Sequence, residues 1–496
     1  MKEDLRYRPL HARRPGGRGR PSPGPGSHNR FRWLALFVVL TVVGGLAALR
    51  ATGALGGFGH RSGGSTRALA QTSRLSPNSP RAGSPPAPAP PELHRLVVRT
   101  HPSGATLRIG TVDGGITSAK TPFKGRVSEG SIRLSLKMKG YNRWTEQFDL
   151  SKNRSIEVWL DPAGLLHHEL DRFRVGPAPK QVAFTPDGDE LWVTDLGGDG
   201  VEIYDAHSGR HRADVNLGNR GAVEVIFTDD GATAYVSQMQ TASVYEVDTA
   251  TRKVKRRLFT SGSWSKGMAL SPDEETLFVS NWVSDDVSQI DLASGKEVRR
   301  FHTVDTPRGL YVTPNGRRLY VAGFEHGELQ RFDLRTLESK VLIRTGGAMR
   351  HLVGDPVRGL LYGDDMAGDK VYVVDLATEK VRVLAATDNT PNTIDLSPDG
   401  RVLYVSNRGR NNPMSYYVPG PEWGSVLAID TRTGKPLDAI IGGNQTTGLD
   451  VSDDGRYLAF SDFLDNRVTL FAIPDLDVLL SGGGGRYRAH LADLGK

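Results

Sequence analysis

At 496 residues, with 38% hydrophobic and 24% charged side chains, the chain is long for one core and has the balance of a water-exposed body, which excludes a polytopic membrane protein. The formal charge of +7 sits in the first 32 residues, where nine Lys and Arg oppose Glu3 and Asp4, so the remainder is near neutral and nucleic acid is not an expected partner. There is no cysteine, which rules out disulfides, thiolate metal sites, a Cys nucleophile and covalently attached haem.

Residues 1–32 are rich in Arg, Pro and Gly and read as a basic cytoplasmic tail. From Trp33 to Leu49 no charge interrupts the chain, so 33–49 is expected to be a single N-terminal transmembrane helix. The basic flank then predicts a cytoplasmic N-terminus and periplasmic or extracellular domains, with the cell membrane as one partner. A cleaved signal peptide is the rival, since Ala68-Leu69-Ala70 resembles a cleavage site but lies far beyond the apolar run. Residues 50–93, ending in a Pro-rich stretch, read as a disordered stalk.

Residues 94–161 carry short alternating runs, such as Ser131 to Leu136 and Ile156 to Leu160, bounded by turn residues, and predict a small antiparallel β-sandwich. Pro102-Ser103-Gly104-Ala105, Thr121-Pro122, Gly130 and Gly140-Tyr141 make this stretch resemble the PEGA family, with Ser103 where that family has Glu. The resemblance implies an accessory domain without chemistry of its own.

Residues 165–480 contain one unit seven times, beginning at Val182, Val225, Met268, Leu310, Leu352, Ile394 and Leu449. The interval of 42 or 43 residues, 55 in the last case, fits a four-stranded propeller blade. Each unit has an inner strand, a Ser-Pro-Asp-Gly type turn, a Leu-aromatic-Val strand such as Leu277-Phe278-Val279, and a third strand ending in Asp (Asp205, Asp248, Asp291, Asp333, Asp375, Asp430). Those carboxylates are read as turn acceptors. The fold class is therefore all-β, a seven-bladed β-propeller behind a small β-sandwich. With Leu319-Tyr320-Val321 and Leu403-Tyr404-Val405-Ser406-Asn407, the repeats resemble the YVTN family, related in fold to lactonase propellers. Two stretches compete to close the ring, His168 to Val175 and Asp477 to Leu480; the first would join the first and last blades and protect an edge. Residues 481–496 read as a flexible tail.

Chemistry in a propeller belongs at the channel mouth. Two positions before each repeat start stand Lys180, Val223, Lys266, Arg308, Arg350, Asn392 and Thr447; at the end of the second strand stand Asp195, Gln238, Asn281, Gly323, Asp365, Asn407 and Asp462. Either the two rings pair with each other between blades, or they form a funnel in which cations hold an anionic group and amides orient it. Asp395 and Asp450, at equivalent inner-strand positions of adjacent blades, would need a shared proton, an Arg or a cation, and are the weak metal candidates. The long interval holds an insertion from Arg408 to Gly424, whose Tyr416, Tyr417 and Trp423 suit a partner-binding loop or a loop folded over the channel. His167, His168, His326 and His351 lack metal-ligand spacing, and no nucleophile elbow, phosphate loop or dinucleotide fingerprint occurs. No cofactor is expected. The reading is a protein that binds a protein or an anionic cell-envelope glycan, with a lactonase-like hydrolase or lyase as the alternative.

Overall fold

The structure is a computed structural model and describes residues 92–111 and 114–496. The basic tail, the apolar run 33–49 and nearly all of the stalk lie outside the described residues. The expected membrane-spanning helix is corrected: among the described residues no helix is long and apolar enough to cross a membrane. The longer of two helices, α1 (Leu476–Ser481), has six residues, about 9 Å of rise against a hydrocarbon core of about 30 Å. The 17-residue run that suggested a span was at the lower limit of length for one. The membrane partner and the placement of the domains beyond a cell membrane rested on that helix and fall with it.

The small domain is built from seven strands: β1 (Leu93–His101), β2 (Thr106–Thr111), β3 (Ile116–Lys120), β4 (Phe123–Ser128), β5 (Gly130–Lys137), β6 (Trp144–Leu150) and β7 (Arg154–Trp159). They form two sheets, β4-β1-β7 and β3-β2-β5-β6. Alternation places Leu96 and Val98 of β1, Leu107 and Ile109 of β2, and Ile132, Leu134 and Leu136 of β5 in one core. The sandwich is not purely antiparallel, because β7 returns alongside β1 in parallel, Val98 facing Ile156.

The propeller follows as seven four-stranded sheets. The inner strands are Pro179–Phe184, Ala222–Phe227, Ser265–Leu270, Pro307–Val312, Met349–Asp355, Pro391–Leu396 and Thr446–Val451, which number blades 1 to 7. Blade 7 supplies only three strands of its own, and β8 (His168–Arg174) completes it by pairing with Arg467–Ala472. The ring therefore closes through the N-terminal candidate. The last-strand rival forms α1 instead, whose Leu479 is buried beside blade 6. The third-strand Asp residues accept turn N–H groups as expected: Asp248 takes Thr251 N at 2.8 Å and Asp291 takes Ser294 N at 2.7 Å.

Residues 481–496, expected to be flexible, run along blade 6 instead. Arg486 N donates to Asp438 at 2.8 Å, His490 is buried with Nε2 2.9 Å from Asp388, and Lys496 N reaches Pro421 O at 3.1 Å. His167, which spacing left unassigned, is interior: it bridges Asp438 (2.9 Å) and the Tyr404 hydroxyl (3.1 Å), fixing the entry into the ring.

Candidate binding site at the channel mouth

A β-bulge falls at the start of every inner strand. The ladder of blade 1 pairs Asp195 with Pro179 and then Thr194 with Gln181, skipping Lys180, and each of the other six blades slips at the same place. A bulge re-aims the extra side chain. Here the ring of Lys180, Val223, Lys266, Arg308, Arg350, Asn392 and Thr447 occupies the slipped stretch, all buried in the ring interior. In five blades a Ser or Thr one residue before the end of the second strand locks the seam, donating to a carbonyl at the start of the next inner strand: Thr194 to Val223, Ser237 to Lys266, Ser280 to Arg308, Ser406 to Thr447 and Ser461 to Pro179.

The second ring turns into its own blades. Asn281 joins Ser265, Asp286 and Ser288; Gln238 holds Arg220 O and Thr241 N; Asp462 takes Gly443 N, the Thr446 hydroxyl and Arg467; Asp365 takes Ala348 N and Gly368 N; Asn407 donates to Val405 O and Ser425. These side chains fasten the loops that frame the mouth. Asp195 alone of the ring's carboxylates receives no hydrogen bond among the described residues, and burial, with Glu202 and Asp214 nearby, pushes its pKa up to about 8.

The cationic ring divides into three. Arg308 reaches past blade 3 to Glu224 of blade 2 at 2.8 Å, both nearly inaccessible, and Glu224 also accepts Met268 N. Arg350 gives Nε–H to Asn392 O at 2.8 Å, beside Asp364. Lys266 lies over Trp282, with Nζ 3.8 Å from the ring centroid, and 5.6 Å from that of Trp264. Trp282 in turn packs on Phe324 at 4.8 Å. Across the mouth, Lys180 faces Phe463 at 5.4 Å.

The insertion comes to the same place. The Tyr416 and Tyr417 rings pack tilted at 34° with centroids 4.1 Å apart and both lean on Phe463, while the Arg408 guanidinium sits 5.2 Å from the Tyr416 ring. Gln445 of blade 7 ties the loop down through Arg408 and Tyr416 O. Trp423 stands apart: its N–H goes to Leu494 O at 2.8 Å and Lys496 covers its ring at 4.5 Å. Trp264, Trp282, Phe324, Phe463 and Arg408 were missed from sequence, although a signal existed. The residue after each second strand reads Leu196, Met239, Trp282, Phe324, Met366, Arg408, Phe463, a column of large side chains whose N–H groups all bond the residue before the inner strand. That preceding residue has positive φ in six blades, including 62° at Trp264 and 61° at Gln445, a conformation that non-glycine residues seldom adopt and that turns these side chains over the mouth.

Two further acid positions matter. Asp364 stands where other blades have the seam hydroxyl; it takes His351 N at 2.6 Å, its other oxygen meets no partner among the described residues, and burial pushes its pKa up to about 7. Burial also pushes His351 down to about 4. Asp395 and Asp450 hydrogen-bond each other and cap the next blade, taking Val451 N (2.8 Å) and Phe184 N (2.7 Å). Burial raises both pKa values, Asp395 to about 6, so the pair shares a proton. With those oxygens engaged, the two do not fit a metal. Among the described residues, the group of three His or carboxylate ligands close enough to share an ion is Glu92, His94 and Glu129, on the small domain.

Comparison with known proteins agrees with this architecture. The chain matches the PEGA domain over residues 93–162 and the family described as Lactonase, 7-bladed beta-propeller over residues 165–345. Kuenenia stuttgartiensis hydrazine synthase shares the fold, with a TM-score of 0.52 at 20% identity, covering 60% of this chain and 96% of that one. Antigen Lp49 of Leptospira interrogans serogroup Icterohaemorrhagiae serovar copenhageni is 33% identical over 399 residues, 75% of this chain and 86% of the antigen. The chain belongs to the family of antigen Lp49 and joins a PEGA domain to a seven-bladed, lactonase-type β-propeller.

Proposed function

We propose that the chain is a binding protein whose channel mouth takes an acidic glycan. The observation that carries this reading is the pair of aromatic and cationic clusters on opposite sides of the ring, Lys266 with Trp264, Trp282 and Phe324 on blades 3 and 4, and Lys180 and Arg408 with Tyr416, Tyr417 and Phe463 on blades 6, 7 and 1. Aromatic faces hold the apolar faces of sugar rings, and cations beside them attract carboxylates. Trp264 and Tyr417 keep ring surface open to solvent, Tyr417 with 52% exposure, so they offer area at small entropic cost.

Binding of polygalacturonate, with neutral dextran as control, tests the reading by calorimetry. Trp264→Ala and Tyr417→Ala should each weaken binding about tenfold, as losing an aromatic contact of about 1.4 kcal/mol would. Deleting residues 410–421 should weaken it further while the melting temperature holds. Equal affinity for dextran and polygalacturonate would sink the proposal. The lactonase family match supports a second reading, hydrolysis of small lactones at the same mouth, with Asp364 as the acid poised nearest neutral pH. Turnover of such esters, lost in Asp364→Asn, would replace binding as the function.

A further inference from the structure

The small domain brings three metal-ligating side chains together at one end of its sandwich. Glu92 stands just before β1, and the alternate residues Glu92, His94, Leu96 and Val98 share a face, of which the last two enter the core. β4 runs antiparallel beside β1, with Val127, another core residue, opposite His94. Two residues further out the ladder ends with Glu129 N donating to Glu92 O at 2.8 Å, so two carboxylates stand opposite each other on the face that carries the His94 ring. Like charges in that position are destabilising unless something neutralises them. Among the described residues neither Glu forms an ion pair with Lys or Arg; Glu129 has only His94, whose Nε2 is 3.8 Å from Oε2, too far for a hydrogen bond. The His94 side chain is 12% exposed, and its Nε2 is buried without a hydrogen-bond partner among the described residues. Buried ring nitrogens normally find a partner. One ligand atom from each of Glu92, His94 and Glu129 lies within 4.8 Å of the other two.

We propose that Glu92, His94 and Glu129 bind a zinc ion, with Nε2 of His94 as the nitrogen ligand. Ligands about 2.1 Å from zinc stand about 3.4 Å apart in a tetrahedron, so the exposed Glu side chains close the set by swinging in about 1.4 Å at most. One imidazole with two carboxylates suits zinc, whereas calcium and magnesium take oxygen throughout. All three ligands come from one face of one ladder, which makes one side of a tetrahedron and leaves the fourth, outward position to water, unlike the square plane that copper(II) prefers. Other surface histidines meet one acid each, as His101 meets Glu157 and His326 meets Asp305, and among the described residues no second group of three converges. The ion ties the start of β1 to the end of β4 and neutralises the opposed carboxylates. This site lies on the small domain, not at the glycan-binding mouth, so either proposal stands or falls alone.

Chelator-treated full-length protein titrated with zinc chloride, and separately with calcium chloride, by calorimetry and thermal melting tests the site. One zinc per chain is expected, bound at least about tenfold more tightly than calcium, with a rise in melting temperature. His94→Gln should abolish both the heat and the rise. Glu129→Gln, at a side chain 47% exposed where folding is safe, should weaken zinc at least about tenfold. Cobalt(II) gives a second readout: wild type should show the strong visible absorption of a four-coordinate ion, and Glu129→Gln should lose it. No zinc heat in wild type overturns the site. So does wild-type zinc binding in both His94→Gln and Glu129→Gln, which would assign the ion to other histidines of the chain.

Discussion

Arg308 shows how a residue can be found by position while its partner stays hidden. Its place in the repeat marked it as part of a cationic ring, yet its partner Glu224 sits two blades away, and nothing in a column of aligned repeats announces a contact that crosses the intervening blade. Gly267 lies between them in sequence order and explains the crossing: a Cβ there would meet Arg308 O at 1.8 Å, so only glycine lets the inner strands approach this closely. The pair is buried, so removing one partner strands the other. Arg308→Ala should destabilise by about 3–5 kcal/mol, and Glu224→Gln with Arg308→Met together should recover much of the loss. Urea unfolding of the two variants checks this, and a loss below about 1 kcal/mol for Arg308→Ala would make the pair a surface-like contact. Asp364 illustrates the opposite case. Reading the seam column, Thr194, Ser237, Ser280, Ala322, Asp364, Ser406 and Ser461, would have isolated the acid from sequence alone.

At the scale of strands, the pattern of Leu-aromatic-Val runs was legible because each blade buries the same faces, while the bulge that slips every inner strand was not, since it adds no residue to the period. The same limit hid the mouth aromatics, which follow the strand that carried the motif. Asp395 and Asp450 were legible as exceptions in a column of Ala183, Ile226, Ala269, Tyr311 and Val353, and the need for a shared proton follows from their neighbouring blades. Their pairing predicts a pH dependence with a definite sign. Both folded pKa values lie above the ordinary carboxylate value, Asp395 at about 6, so the folded state holds more protons than the unfolded chain between about pH 4 and the folded titration. The pair's stabilisation is complete below the unfolded pKa and declines as pH rises through the folded one. Asp450→Asn keeps a neutral donor toward Asp395 and removes the second charge. Wild type should therefore lose melting temperature relative to Asp450→Asn as pH rises from about 4 through about 6 and above, and parallel curves would show that the two acids titrate independently.

For the whole molecule, the repeat count set the number of blades, but closure depended on one strand outside the repeats. β8 shows no aromatic core residue except Phe173 and reads as polar, HELDRFR, because it is the outer strand of its blade. Its value lies in backbone pairing: it covers Arg467–Ala472 from Arg174 to His168, and Val175 N continues the bond to Asn466 O at 3.0 Å. The residues just before it lock the ring a second time, since Leu166 N and His167 N both donate to Asp438 of blade 6, at 2.8 and 3.2 Å. One short segment thus joins the small domain to blades 6 and 7 at once. A chain beginning at residue 163 keeps both locks and should melt cooperatively. A chain beginning at residue 176 leaves Arg467–Ala472 as a bare edge and blade 7 with three strands, and unpaired edges recruit other chains. That second chain should elute as oligomers and lose the single transition, and recovery of a monomer on adding a peptide of residues 165–175 would identify β8 as the missing strand. A monomeric, cooperatively melting chain from residue 176 would mean that packing between the inner strands of blades 7 and 1, including the Asp450 contact to Phe184 N, closes the ring without it.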